Sequence, residues 1–315
     1  MPADSQPRLS LEASTLLAYA TVSLFWGSTY LAIRIGVRYL PPATFAASRF
    51  LLAGLVLLAW ARLTSQPLPT RAVDWRTNII VGLLLLAVGN GLVVWGEQYV
   101  ESGLASIFIV TSPLWMVLFA ASLPGLRYRP SATQLVGLLM GFVAAASLIG
   151  IDLEEFRNAD WRGPLAILGA AASWSLGSVY SQRNPISSGA VVNAALQMLA
   201  GGIALAVAGL VRGEWQRVEW SWEGVAAVLY LAIFGSIVSF TAYVYLLDHW
   251  PAPIVSSSTY LNVVVAVFLG WLILDETVTV RMLIATGVIF AAVAMVRASK
   301  PVDSSRGSDN TTDRS

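Results

Sequence analysis

The stretch LFWGSTYLAIR, Leu24 to Arg34, lies inside a long apolar run yet carries a tryptophan, a Gly-Ser-Thr-Tyr sequence and an arginine. Half a chain later SWSLGSVYSQR, Ser173 to Arg183, uses the same vocabulary. Sliding the chain against itself by about 150 residues lays Gly27, Ser28 and Tyr30 on Gly177, Ser178 and Tyr180, and Gly137 on Gly287; Trp26 and Trp174 correspond with a slip of two. The links rhyme as well, SLPGLRYRPSATQLVG at Ser122 being answered by LILDETVTVRMLIATG at Leu272. One such match means little, because Gly, Ser and Tyr are common in membrane helices. An ordered set at half the chain length predicts a duplicated unit.

Hydrophobic residues make up 57% of the 315 and charged residues only 12%, where a soluble domain has about a quarter charged. With a mean hydropathy of +0.69 the chain reads as a membrane protein. Its net charge of +1 and the absence of a basic cluster outside the termini argue against nucleic acid as a partner. There is no cysteine, which excludes disulfides, thiolate nucleophiles and iron–sulfur clusters. A single histidine, His249, excludes a histidine-rich metal centre, so neither metal nor cofactor is expected.

A helix needs about 20 mostly apolar residues to cross the hydrocarbon. Runs of that kind fall at 14–34, 43–62, 77–96, 102–123, 131–150, 162–182, 189–211, 222–247, 252–274 and 280–298. The first is too long for a removable signal peptide and lacks its small-residue cleavage site. The longest links are the charged GIDLEEFRNADWRG and RGEWQRVEWSW regions, too short to hide a soluble domain. Placing both termini inside puts eleven Lys and Arg on the cytoplasmic side against seven outside, with the acids leaning the other way. The expected organisation is a cytoplasmic segment 1–13, repeats at 14–150 and 162–298, and a polar, disordered cytoplasmic tail 299–315.

Five is an odd number of crossings, so the second copy must enter from the opposite side. The fold class expected is therefore all-α integral membrane, ten transmembrane helices in two inverted five-helix repeats, an architecture of secondary transporters. Trp26, Gly27, Tyr30 and Arg34 then share one helical face, as do Trp174, Gly177, Ser178, Ser181 and Gln182. Polar faces on spans turn away from lipid, and two of them meeting on the symmetry axis would line a central cavity.

FWGSTYLAIRIGV, PPATFAASRFLLAG, VGNGLVVWGEQYVESGLAS, SWSLGSVYSQR and STYLNVVVAVFLGWLILDET together resemble the EamA family of the drug/metabolite transporter superfamily, over about Leu16 to Val296. The resemblance implies two inverted EamA repeats in the inner (cytoplasmic) membrane, exporting small metabolites or drugs from a central cavity. It also implies weight for Arg49, since an arginine recurs in the second span of the family pattern. One departure stands out: the proline of the ninth span, matching Pro113 in the fourth, is Asn262.

Candidate substrate-binding residues are Trp26, Ser28, Tyr30, Arg49, Asn90, Trp174, Ser178, Tyr243 and Tyr260, with Glu97 as a candidate for proton coupling. Arg49 lies about seven residues into its span, a depth of roughly 10 Å. A guanidinium at that depth costs about 2.5–3.5 kcal/mol at most on insertion scales and must meet a partner or water. It either pins neighbouring carbonyls or acts as a charge anchor, for a substrate carboxylate or for Glu97. Glu97 ends the third span, where a solvated helix end competes with a titrating acid; Asp248 and His249 pose the same choice at the end of the eighth. Trp60, Trp75, Trp161, Trp215, Trp220, Trp222 and Trp250 fit an interfacial belt, whereas Trp26 and Trp174 lie mid-span beside Gly and Ser, as in an apolar pocket with a few polar groups. Asn90 and Asn262 need partners inside the bundle. Gly137 and Gly141, answered by Gly287 and Ala291, read as close-packing positions within the chain or in a homodimer.

A secondary transporter working by alternating access fits this pattern. No GxxxxGK[ST] occurs to bind nucleotide, so an ion or substrate gradient would drive it. An integral-membrane enzyme is disfavoured by the lack of HExxH, GxSxG, paired membrane aspartates and cysteine. A passive channel would show rings of like charge or a carbonyl filter.

Overall fold

The structure, a computed structural model, describes residues 6–99, 102–123, 128–149, 160–219, 221–274 and 279–299. Residues 1–5 and 300–315, most of the link before Asp160, and the links at 124–127 and 275–278 lie outside the described residues, and with them the expected disordered tail. Every expected apolar run coincides with helix, and no strand occurs among the described residues. Helices α1 (Gln6–Gly36) and α2 (Pro42–Leu63) are continuous. Helix α3 (Ala72–Gly96) has a π-helical middle, Leu83–Asn90. Helix α4 comes in two pieces, Ser102–Ile109 and Ser112–Ser122. Helices α5 (Ala132–Ile149), α6 (Arg162–Arg183) and α7 (Ala190–Val211) follow. Helix α8 (Trp222–His249) again has a π-helical middle, Leu231–Val238. Helix α9 is again in two pieces, Ala252–Ser256 and Ser258–Leu274, before α10 (Val280–Ala298).

Helices are what an apolar chain forms in lipid, since each satisfies its own backbone groups. Among the described residues seven helices are long and apolar enough to cross a membrane: α2, α3, α5, α7, α8, the stretch Ala252–Leu269 and α10; a shorter apolar stretch, Ile107–Ser122, joins them. Helices α1 and α6 are not in that set, and they carry LFWGSTYLAIR and SWSLGSVYSQR. Helix α1 starts at Gln6, earlier than the apolar run beginning at 14, so part of the segment expected to precede the first span continues the helix. Leu55, Leu165, Val207 and Leu283 are 58%, 63%, 53% and 63% exposed, as lipid-facing side chains would be. Trp60, Trp75, Trp161, Trp215 and Trp222 are exposed as well. Trp250, by contrast, is half-buried under the Arg297 guanidinium, 5.0 Å from its ring centroid; Trp220 lies outside the described residues.

Helix α2 packs along α7, and α5 along α10. Helix α1 packs on α8 and α9, while α6 packs on α3 and α4. Exchanging each helix for the one five places on leaves this set of pairs unchanged. The π-helical middles of α3 and α8 and the breaks in α4 and α9 obey the same exchange.

Glycines set the close approaches. A Cβ on Gly82 of α3 would lie 2.3 Å from the Gln197 carbonyl oxygen of α7, and one on Gly137 would lie 3.1 Å from the Ala292 carbonyl oxygen of α10. Gly141 faces the Tyr260 ring, so both glycines of GLLMG serve packing within the chain; Gly287 has nothing within 4 Å and does not. Polar groups tie α3 to α7 at one end: Asp74 pairs with Arg71 at 2.7 Å and accepts from the Ser187 hydroxyl at 2.6 Å. Behind it Asn78 donates to Asn193 and accepts from Gln197. At the other end Glu214, in the link after α7, receives the N-terminus of α2. Asp160, just before α6, accepts from the Arg162 backbone N–H at 3.1 Å, and the neighbouring guanidinium holds its carboxyl below the usual carboxylate range.

Candidate functional site

A cavity of about 120 Å³ lies between α1, α2, α3, α4, α6, α8 and α9. Trp26 enters it from α1, one helical turn ahead of Thr29 and two ahead of Ile33. Gly27, beside Trp26, turns to α9, where a Cβ would lie 2.7 Å from the Asn262 carbonyl oxygen. The glycine lets the two helices close, and the tryptophan is thereby aimed inward. Helix α6 repeats the arrangement: Trp174 lines the cavity, and a Cβ on Gly177 would meet Leu85 of α3 at 2.2 Å.

The two tryptophans meet edge to face, centroids 5.3 Å apart at 84°. Tyr243 of α8 packs 5.0 Å from Trp26 and 5.5 Å from Trp174, and Phe240 stands 6.1 Å from Trp174. Such pairs are worth about 0.5–1.5 kcal/mol each beyond area burial. Their polar edges are all occupied by protein. Trp26 Nε1 donates to the Gly235 carbonyl at 3.0 Å, in the π-helical part of α8. Trp174 Nε1 donates to the Tyr243 hydroxyl at 2.9 Å, and that hydroxyl is shared with Ser178 at 2.7 Å. What the cluster offers the cavity is carbon surface.

Arg49 of α2 supplies the charge. It is 6% exposed, its guanidinium carbon sits 4.3 Å from the Phe50 ring centroid, and its Nε has no hydrogen-bond partner. A buried N–H left without an acceptor is costly, which makes this edge of the guanidinium a place for one. Glu97, at the end of α3, interacts electrostatically with Arg49 but is not among the lining residues. Asn90, in the last π-helical residue of α3, lines the cavity with its side-chain oxygen unpartnered.

Of the residues expected at the site, the structure brings together Trp26, Arg49, Asn90, Trp174 and Tyr243. Ser178 stands behind the wall and braces Tyr243. Ser28 faces α8, sharing a 2.6 Å hydrogen bond with Tyr230 and donating to the Phe25 carbonyl. Tyr260 does not line the cavity; fully buried, it donates to the Leu138 carbonyl at 2.8 Å and joins α9 to α5. The side chains of Tyr30 and Arg34 lie outside the described residues. Gln182 clamps the turn between α8 and α9, donating to the carbonyls of Leu247 and Trp250 and accepting from the Ala252 N–H. His249 is exposed and stacks on Tyr245, as an interfacial residue would.

Sequence reading missed Phe50, Ser112, Met116, Phe240 and the polar run Ser256–Thr259, all near or on the cavity wall. The polar run was the available signal, since it interrupts an apolar helix. Asn262 does two jobs: it lines the cavity and, with its amide nitrogen turned inward, donates to the carbonyls of Ser258 and Ser23 at 3.0 Å.

The sequence model of the EamA-like transporter family matches residues 13–150 and 161–298. Over 278 residues the chain is 38% identical to YedA, an uncharacterized inner membrane transporter of Escherichia coli K12, covering 88% of each protein. It is 23% identical over 280 residues to the uncharacterized transporter YoaV of Bacillus subtilis, covering 89% of this chain and 95% of the relative. A solved crystal structure shares the fold, with a TM-score of 0.72 at 23% identity over 90% of this chain and 97% of the other. The class these findings define is a multi-pass membrane transporter of two-repeat architecture. The chain belongs to the EamA-like transporter family.

Proposed function

We propose that this chain is a secondary carrier of the cytoplasmic membrane that exports small organic solutes, amino acids and related metabolites or drugs, by alternating access around the central cavity. In this reading ten spans form two inverted repeats, 14–150 and 162–298, with both termini cytoplasmic. The observation that carries it is the exchange symmetry of the helix pairs, with the cavity between the pairs. A bundle that can pair its halves in two related ways can close one side while it opens the other. Export is the direction family likeness favours, and Lys and Arg placement supports the orientation.

Counterflow in proteoliposomes tests the proposal, with solutes chosen from a toxicity screen of an overexpressing strain. A carrier preloaded with labelled solute loses label faster when unlabelled solute is added outside. An enzyme would change the solute chemically, and a channel would show no trans-stimulation. Either outcome overturns the carrier reading.

A further inference from the structure

We infer that the cavity is built for a small aromatic monocarboxylate, bound as the anion and without a partner for an ammonium group. The inference rests on reading the cavity as the transport site, and four observations carry it.

Among the described cavity-lining residues Arg49 is the only Lys, Arg, His, Asp or Glu. Arg49 is 6% exposed, and its Nε is unpartnered. A carboxylate fits the planar guanidinium fork through two parallel hydrogen bonds, which phosphate also does. Glu97 acts on Arg49 electrostatically from outside the lining, so the described wall itself presents one positive charge, which suits a monoanion better than a dianion. A cationic solute would face Arg49 with no acid on the wall to offset it. The same holds for the ammonium end of a zwitterion, because Glu97 lies outside the lining.

The aromatic part of the wall selects the rest of the solute. Trp26, Trp174, Tyr243 and Phe240 form a contiguous aromatic surface whose N–H and O–H groups are consumed by Gly235, Ser178 and one another. Carbon surface of that kind stacks on a ring and gives nothing to a polar chain. The volume limits the ring count. At about 120 Å³ it is of the order of the roughly 150 Å³ cavity that takes benzene, a scale that favours a single ring over a fused pair. The unpartnered Asn90 oxygen would accept from a donor on that ring.

Isothermal titration of the purified full-length protein in detergent tests this with benzoate as probe. Benzoate is expected to bind about tenfold or more tightly than benzamide, phenylalanine, benzylamine or acetate, a gap that one charge-assisted hydrogen bond or one aromatic contact supplies. Benzamide or phenylalanine binding as well as benzoate would overturn the charge argument, acetate binding as well would overturn the aromatic one, and no benzoate binding would overturn both. Arg49→Gln is expected to narrow the gap between benzoate and benzamide to less than about threefold, while Arg49→Lys, which keeps the charge but loses the planar fork, keeps only part of it; an unchanged gap in Arg49→Gln overturns the assignment. Should Arg49→Gln fail to fold, the solute comparison on the unaltered protein decides. Counterflow run beside the titration separates the two readings. Benzoate that neither binds nor exchanges, while other solutes do exchange, sinks the substrate class alone; benzoate that binds while no solute exchanges sinks the carrier.

Discussion

Glu214 is 3% exposed, and its Oε2 accepts from the Thr44 backbone N–H at 2.8 Å and from the Thr44 hydroxyl at 3.1 Å. That N–H belongs to the first turn of α2, one of the groups a helix leaves unsatisfied, and a carboxylate there also meets the positive end of the helix dipole. Gly209 leaves the space, since a Cβ there would come within 3.4 Å of the same oxygen. Glu214→Ala is expected to lower stability by about 1–3 kcal/mol, seen as an earlier thermal transition of the detergent-solubilised protein, whereas Glu214→Gln retains most of it. An unshifted transition in Glu214→Ala would remove this role. Residues of this kind escape sequence reading, because Glu214 looks like any charge in a loop between spans. Arg49, Trp26 and Trp174 did not escape it: a charge or an indole at mid-span has few places to go. Ser28 and Tyr260 looked equally apt, and neighbouring helices drew their hydroxyls to Tyr230 and to the Leu138 carbonyl.

Helices were legible as apolar runs, but their irregularities were not. The π-helical middles of α3 and α8 occupy corresponding places, Leu83–Asn90 and Leu231–Val238, and put Gly89, Asn90 and Gly235 on the cavity wall. No residue type marks them. Helix α4 breaks just before Pro113, as a proline requires. Helix α9 breaks at Ser257, after a first piece that carries Pro253, and the Ser257 hydroxyl bonds both the Ile254 carbonyl and the Tyr19 hydroxyl. Close packing makes an equally local prediction. Gly82→Ala forces α3 and α7 apart, because its Cβ would lie 2.3 Å from backbone oxygen and 2.9 Å from the Gln197 Cα. A loss of about 1–3 kcal/mol is expected, read as an earlier thermal transition. Gly287→Ala, with nothing within 4 Å, should leave the transition in place or raise it slightly. Equal behaviour of the two variants would contradict the packing described for α3 and α7.

Across the whole molecule, the proposed inversion puts the link after α2 and the link after α7 on opposite faces of the membrane, although each follows the second helix of its half. The natural chain contains no cysteine, so single cysteines report without background. In intact cells, Gln216→Cys is expected to react with a membrane-impermeant maleimide, and Thr70→Cys only after permeabilisation; both positions are exposed. Labelling of both from the same side would mean parallel halves. The all-helical membrane class, the repeat and the mid-span charge were legible in the sequence alone, because the cost of placing polar groups in lipid acts on each residue whatever its neighbours. Tertiary structure decided which polar residues face the cavity and which are spent on holding helices together. Both fates satisfy the same buried hydrogen-bonding groups, and only the positions of the neighbouring helices, closed to contact by Gly27, Gly82 and Gly177, distinguish one from the other.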